Sequence, residues 1–375
     1  MNRQISRQAL LRGAIASGAG ALFWPRSPAE ESVAGAVGRL RSLSEANHVD
    51  LKAMSLSNVP QNRWQESTYP AIPAELKIRG VNHVLKFEDL GPQDSNGVWA
   101  AMWRVWDWDG WIRPQLDDIA TVGNTVRFWG STLALALSNV SLNQYLAQWK
   151  QALDHIQTLG LYVYPCGGDL GSWGGYTVDE SVKCYSELAS LLATYDNVIG
   201  MDIVNEAALL PWHQTKPSDR LYRQPQPYEQ FVQQLGEAVR AHAIPITYSR
   251  SLRSAEQWMV ENPLDSAGDF LDFHIYYKPT PADSLGVYET SWGKGKNMVI
   301  GEFGMNTTES AEARSDYYEA IRKLTSNDPN CRGAFAWAAY DPLPTPDWEY
   351  GLFDRQRTLR NDIADPFSAF RIDGL

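Results

Sequence analysis

Glu206 and Glu302 are the residues on which chemistry can be built. Each follows a run of apolar and β-branched residues and precedes small or polar ones: VIGMDIVNEA carries Glu206, and NMVIGEFGMN carries Glu302. Such a run reads as a buried parallel strand whose last residue emerges at its carboxyl end. In a barrel of alternating strands and helices, reactive groups gather at that end. Two carboxylates facing each other across a groove are what glycoside hydrolysis needs. One attacks the anomeric carbon while the other protonates the departing oxygen. Their environments must differ, so that one stays protonated while the other is ionised. A lone glutamate at a strand end is weak evidence, since most are surface or salt-bridged residues. Two of them at two strand ends narrow the reading.

The elements that must hold this pair follow from about residue 76 onward. LKIRGVNHV, NTVRFWG, LYVYPC, VIGMDIVN, IPITYSR, DFLDFHIYY, NMVIGEF and CRGAFAWAAY read as successive strands. Helical segments alternate with them, among them WIRPQLDDIATVG, PYEQFVQQLGEAVRAH and SAEARSDYYEAIRKL. In SLNQYLAQWKQALDHIQTLG, Leu142, Tyr145, Leu146, Trp149, Leu153 and Ile156 share one face. Ser141 with Gln144 forms a capping box there, and Gly160 can end the helix. Thr177 with Glu180 is a second capping box. Eight such units in about 300 residues predict an α/β fold, a (β/α)8 TIM barrel forming a single catalytic domain over 76–375. A doubly wound sheet would be expected to carry a glycine-rich phosphate loop, and no GxGxxG or GxxxxGK[ST] is present.

Composition narrows the partners. A net charge of -11 argues against nucleic acid or an anionic membrane. The 15 tryptophans suit sugar-stacking platforms as well as core. In WAAMWRVWDWDGW, Trp99, Trp103, Trp106, Trp108 and Trp111 alternate with Arg104, Asp107 and Asp109, which favours a mixture of the two. With three cysteines, Cys166, Cys184 and Cys331, no disulfide framework forms, although one pair is possible. No HxH or HExxH motif occurs, so we expect no catalytic metal and no cofactor. Residues 1–29 read as a signal peptide: Arg3, Arg7 and Arg12 precede the weakly apolar GAIASGAGALF, and Ser27 and Ala29 have cleavage-site spacing. SRQALLRG resembles a twin-arginine signal with Gln8 in the second arginine's place. That run is too short to span a membrane. Residues 30–75 read as an extended lead-in. We therefore expect a secreted or periplasmic protein, acting as a monomer.

Taken in order, the strand-end residues resemble those of the clan A glycoside hydrolases, and within them family 5, the cellulase family. The resemblance covers about residues 77 to 350. RFWGS supplies Arg127, VNEA supplies Asn205 and Glu206, FHIYY supplies His274 and Tyr276, IGEFG supplies Glu302, and FAWAAYD supplies Trp337. The resemblance implies Glu206 as general acid/base and Glu302 as nucleophile of a retaining enzyme. Tyr276 and Arg127 would donate hydrogen bonds to Glu302 and keep it ionised, and Asn205 would hold a sugar hydroxyl. Trp337 would floor the subsite where the ring distorts. His274 would contact the acid/base or the sugar. Asp202 shares the strand face of Glu206 by parity, and a buried polar network is its expected role. The family's frequent histidine after the third strand has no counterpart in PCGGDLGSWGG, where Asp169 and Trp173 are the sugar-contact candidates. Trp212 and Trp348 are candidates to extend a cleft. The expected partner is a β-linked glucan or mannan poly- or oligosaccharide. The alternative is a carbohydrate-binding barrel that has lost activity, a role with no need for paired glutamates.

Overall fold

The apolar runs become the staves of a parallel sheet: β1 (Ile78–Asn82), β2 (Thr125–Trp129), β3 (Tyr162–Cys166), β4 (Met201–Asp202), β5 (Ile246–Thr247), β6 (Arg250–Leu252), β7 (Leu271–Ile275), β8 (Met298–Phe303) and β9 (Cys331–Ala336). This computed structural model describes residues 75–91, 99–131, 140–168, 178–207, 225–252, 264–279 and 292–370, with single positions at 72, 135, 257, 261 and 290. Residues 1–29, read above as a signal peptide, nearly all of the lead-in 30–75, and Asp169, Trp173, Thr177 and Trp212 lie outside the described residues.

The strand order is β5-β4-β3-β2-β1-β9-β8-β7-β6, and the pairings are parallel. Its two ends, β5 and β6, are pieces of one chain run separated only by Tyr248 and Ser249. β5 pairs with β4 and β6 pairs with β7, so the sheet closes on itself. Together the two pieces make the fifth of eight staves, and the fold is an α/β (β/α)8 barrel. The expectation of one unbroken strand in IPITYSR is corrected. The break at Tyr248–Ser249 lets Ser249 turn its N–H and its hydroxyl onto Asp202 at 3.0 and 2.7 Å.

Helices α1 (Ala100–Val105), α2 (Arg113–Val122), α3 (Leu142–Thr158), α4 (Val178–Leu192), α5 (Pro225–Arg240), α6 (Ala311–Asn327) and α7 (Asn361–Ser368) alternate with the strands. Local chemistry sets their ends. The Ser141 hydroxyl accepts the Gln144 N–H and starts α3, and Gly160, at φ 70°, follows its end. Ser310 caps α6 in the same way through the Ala313 N–H. Tyr145, Trp149, Leu153 and Ile156 of α3 are buried against the sheet. Burying each such side chain is worth about 1.5–3 kcal/mol. A second apolar cluster, including Ile78, Tyr164, Phe270, Val299 and Phe335, gathers side chains from several staves and fills the amino-terminal half of the barrel interior. Polar side chains occupy the interior above it, so the site rests on a packed floor. Cys166, Cys184 and Cys331 are buried thiols, none of them in a disulfide. Among the described residues, no helix is long and apolar enough to cross a membrane.

Candidate active site

Strand register lines up the polar layer. Asn82 lies beside Arg127, Arg127 beside Tyr164, Cys166 beside Asp202, and His274 beside Glu302. Inward-facing positions alternate along each stave, so Asp272, His274 and the following Tyr276 fall on one face. Glu302 ends this layer on β8, and Asn205 and Glu206 follow β4 directly.

Arg127 is fully buried at the centre. One terminal nitrogen donates to Glu302 Oε1 at 2.7 Å and Asn82 Oδ1 at 3.0 Å. The other donates to Asp202 Oδ2 at 2.6 Å, Asn205 Oδ1 at 3.0 Å and Cys166 Sγ at 3.3 Å. Its guanidinium carbon also lies 4.5 Å from the Trp129 ring centre. Arg127 makes the donation to Glu302 that was expected of it, and the same side chain also pairs the buried carboxylate of Asp202. Asp202 is the buried network member that strand parity indicated, held by Arg127 and Ser249.

The two glutamates converge. One oxygen of each, with a nitrogen of His274, all lie within 4.8 Å of one another. The Glu302 side chain is 4% exposed and the Glu206 side chain 10%. Tyr276 donates its hydroxyl to Glu302 Oε2 at 2.6 Å. His274 Nδ1 is 3.2 Å from Glu206 Oε1 and 3.5 Å from Glu302 Oε2. Glu206 sits at φ 49°, a left-handed conformation rare outside glycine and worth about 1–3 kcal/mol of strain. Its N–H donates to the Ser249 hydroxyl at 2.9 Å, which helps to hold that conformation.

Burial pushes the Glu302 carboxyl above the usual glutamate value. His274 and Arg127 pull it back, the Glu206 charge adds to the rise, and the Tyr276 hydroxyl opposes it. The donors expected to keep Glu302 ionised are therefore in place, but burial outweighs them and the net direction is upward. For His274, burial favours the neutral ring, yet Glu302, the Glu206 contact and Asp272 outweigh it and raise the ring above the ordinary histidine value. Burial and the neighbouring Glu302 hold the Tyr276 phenol far above its ordinary value, so it remains a donor.

Glu206, His274 and Glu302 are close enough to reach one cation together, as are Asp202, Asp272 and His274. Arg127 already places a fixed positive charge on Glu302 and Asp202 at 2.6–2.7 Å, which opposes a metal ion beside them.

Trp337 is 3% exposed and follows β9 at the rim. It meets the rings of Trp99 and Trp129 edge-on at 6.1 and 5.7 Å, and those two stack at 3.9 Å with planes 14° apart. Trp103 and Trp111 are core, and Trp106 and Trp108 are half-buried and packed against it. Trp348 packs on Phe87 at 5.2 Å. Sequence reasoning did not single out Asn82, Tyr164, Ser249 or Asp272. For Asp272 a signal existed, because it stands two residues before His274 on the same strand face.

No protein-family model matches the sequence, and no curated protein matches it. Solved structures do. GH5_18 from Streptomyces cattleya, in complex with GlcNAc, superposes with a TM-score of 0.56 at 17% identity, over 79% of this chain and 81% of that one. The shared property is the barrel. The exo-beta-1,4-mannosidase Op5Man5 from Opitutaceae bacterium strain TAV5 gives a TM-score of 0.58 at 18% identity, over 82% of this chain and 62% of its own. A GH5_18 variant from Bifidobacterium longum in complex with Manb1-4GlcNAc gives 0.55 at 16%, over 77% of each chain. At such identities the likeness establishes the fold alone, and the chemistry has to be argued from the side chains.

Proposed function

We propose that this protein is a retaining glycoside hydrolase acting on β-linked hexosides. The observation that carries the reading is the approach of Glu206 and Glu302, oxygen to oxygen, within 4.8 Å at the carboxyl end of the barrel. Retaining enzymes hold their two carboxyl groups about 5–5.5 Å apart, whereas inverting ones need about 6.5–9.5 Å to admit a water.

Glu302, fixed by Arg127 and Tyr276, attacks the anomeric carbon. Glu206 gives its proton to the glycosidic oxygen, the carbon–oxygen bond breaks, and the aglycone leaves. A glycosyl ester on Glu302 and a Glu206 carboxylate remain. Glu206 then takes a proton from water, the water oxygen attacks the same carbon, and Glu302 departs as carboxylate. Two displacements at one carbon return the original configuration. Asn205, anchored by Arg127, is placed to hold a sugar hydroxyl, and Trp337 with the Trp99–Trp129 stack supplies an apolar wall.

A β-mannoside is the first substrate to try, because an exo-beta-1,4-mannosidase and a Manb1-4GlcNAc complex are among the similar structures. The test is hydrolysis of aryl β-mannoside and β-glucoside series, with the first-formed anomer followed by NMR. We expect a β product, and turnover abolished in Glu302→Gln. An α product, or unchanged turnover in that variant, rejects the mechanism. The same proposal places the enzyme outside the cytoplasm, on the strength of residues 1–29, and predicts an exported form beginning after Ala29.

A further inference from the structure

Asp272 takes no direct part in the mechanism above, yet it is 2% exposed within the barrel, two residues before His274 on β7. Its Oδ1 accepts the Gly301 N–H at 2.8 Å. Its Oδ2 accepts the Tyr164 hydroxyl at 2.6 Å, a length typical of O–H···O⁻. Both oxygens thus receive donors, as an ionised carboxylate requires. A side chain at Gly301 would meet Asp272 Oδ1 at 2.2 Å, so the glycine makes room for this carboxylate. Among the described residues, its one ion-pair partner is His274, whose Nε2 lies 3.8 Å from Oδ1. That is too long for a direct hydrogen bond and close enough for a strong charge interaction at low dielectric.

The other ring nitrogen, Nδ1, faces Glu206 Oε1 and Glu302 Oε2, and with Glu302 ionised for attack a proton on Nδ1 has an acceptor there. The open question is whether Nε2 carries one too. Asp272 sits on that side, and an oxygen of Asp202 and one of Asp272 lie within 4.8 Å of a His274 nitrogen. Arg127 contacts Asp202 and Glu302 directly. The ionisable groups about the ring and its partners are therefore Asp202 and Glu206 from the β4 stave, Asp272 on its own strand, Glu302 on β8, Arg127 on β2, the Tyr164 hydroxyl on Asp272 and the Tyr276 hydroxyl on Glu302. Acids predominate among them.

We infer that Asp272 is a positioning residue for the reaction: from beneath the site it holds His274 as an imidazolium, which presents a charged N–H to both glutamates. This rests on the glycosidase reading. The cation favours the Glu302 carboxylate before attack and the Glu206 carboxylate once it has given up its proton. Coulomb attraction falls with distance, so the ring at 3.2–3.5 Å outweighs the carboxylate behind it.

Selective 15N labelling of the six histidines reads the charge directly, with the His274 signal assigned by its loss in His274→Gln. At about pH 7.5, above the ordinary histidine value, we expect both ring nitrogens of His274 to be protonated. In Asp272→Asn the His274 midpoint should fall by about one to three pH units. The alkaline limb of the kcat/KM profile on an aryl β-mannoside should move to higher pH, because above the lowered His274 midpoint Glu206 has lost its neighbouring cation. A neutral His274 in the wild type, or an unmoved midpoint in Asp272→Asn, overturns the inference. So does a uniform fall in rate with both limbs in place, which marks Asp272 as merely structural. If Asp272→Asn does not fold, the wild-type spectrum decides alone. If no glycoside is turned over, the glycosidase reading falls, while the spectrum still reports the charge on His274.

Discussion

Arg127 is a single side chain with two obligations, and its removal separates them. It pairs Asp202 at 2.6 Å and Glu302 at 2.7 Å in a fully buried position. Arg127→Met leaves two buried carboxylates without their cation, which typically costs about 3–5 kcal/mol. A urea titration should register that loss. Arg127→Lys keeps the charge but loses the two-pronged geometry, and kcat should fall about a hundredfold or more while the fold survives. Tyr276→Phe removes a 2.6 Å donor from Glu302. Losing it raises the Glu302 value further, so the acid limb of kcat/KM should move to higher pH, with kcat lower by about 10²-fold. An unmoved limb would show that the hydroxyl does not bear on Glu302. Glu302 was legible in the sequence because it ends an apolar run, and Arg127 and Tyr276 because RFWGS and FHIYY resemble the family's strand motifs. Asp272 and Tyr164 were not singled out, because their meaning comes from facing each other across the barrel, and one sequence does not display which staves converge.

The elements were legible for a different reason. Capping residues are local, so Ser141 and the face of α3 could be read directly. Replacing Ser310 by Ala should cost α6 about 1 kcal/mol, measurable as a lowered Tm. The fifth stave could not be read this way. IPITYSR alternates like any strand, and its interruption is imposed by Asp202 from a neighbouring stave. β9 carries a comparable constraint at Gly333, where φ is 140° and an added Cβ would come within 1.9 Å of the Ile78 carbonyl oxygen. Gly333→Ala should loosen the β1–β9 pairing and destabilise the protein by about 1–3 kcal/mol or more. Unchanged thermal stability in that variant would contradict the packing at this seam.

At the scale of the whole molecule, the site makes stability depend on pH. His274, Glu302 and Asp272 all have raised values, so the native state binds more protons than the unfolded chain. The His274 contribution is fully present below about pH 6.5 and is lost as pH climbs through its higher folded value. The two carboxyls act in the same sense from a lower pH, favouring the native state until they ionise. The urea midpoint should therefore decline between about pH 6 and 8, and His274→Gln should flatten that decline. The barrel is also unevenly zipped. β2 and β3 pair over five residues, whereas β4 meets β3 through one register pair and β5 through two. Glu206 follows β4, whose run also exchanges backbone hydrogen bonds with β3 at Val163, Gly167 and Gly168 and with the fifth stave at Pro245 and Thr247, while the fifth stave itself is interrupted at Tyr248–Ser249. Deuterium should enter the amides of 246–252, where the stave is interrupted, before those of the unbroken 125–129, so the proposed acid/base Glu206, tied to Ser249 through its own N–H, leans on the part of the wall that opens first.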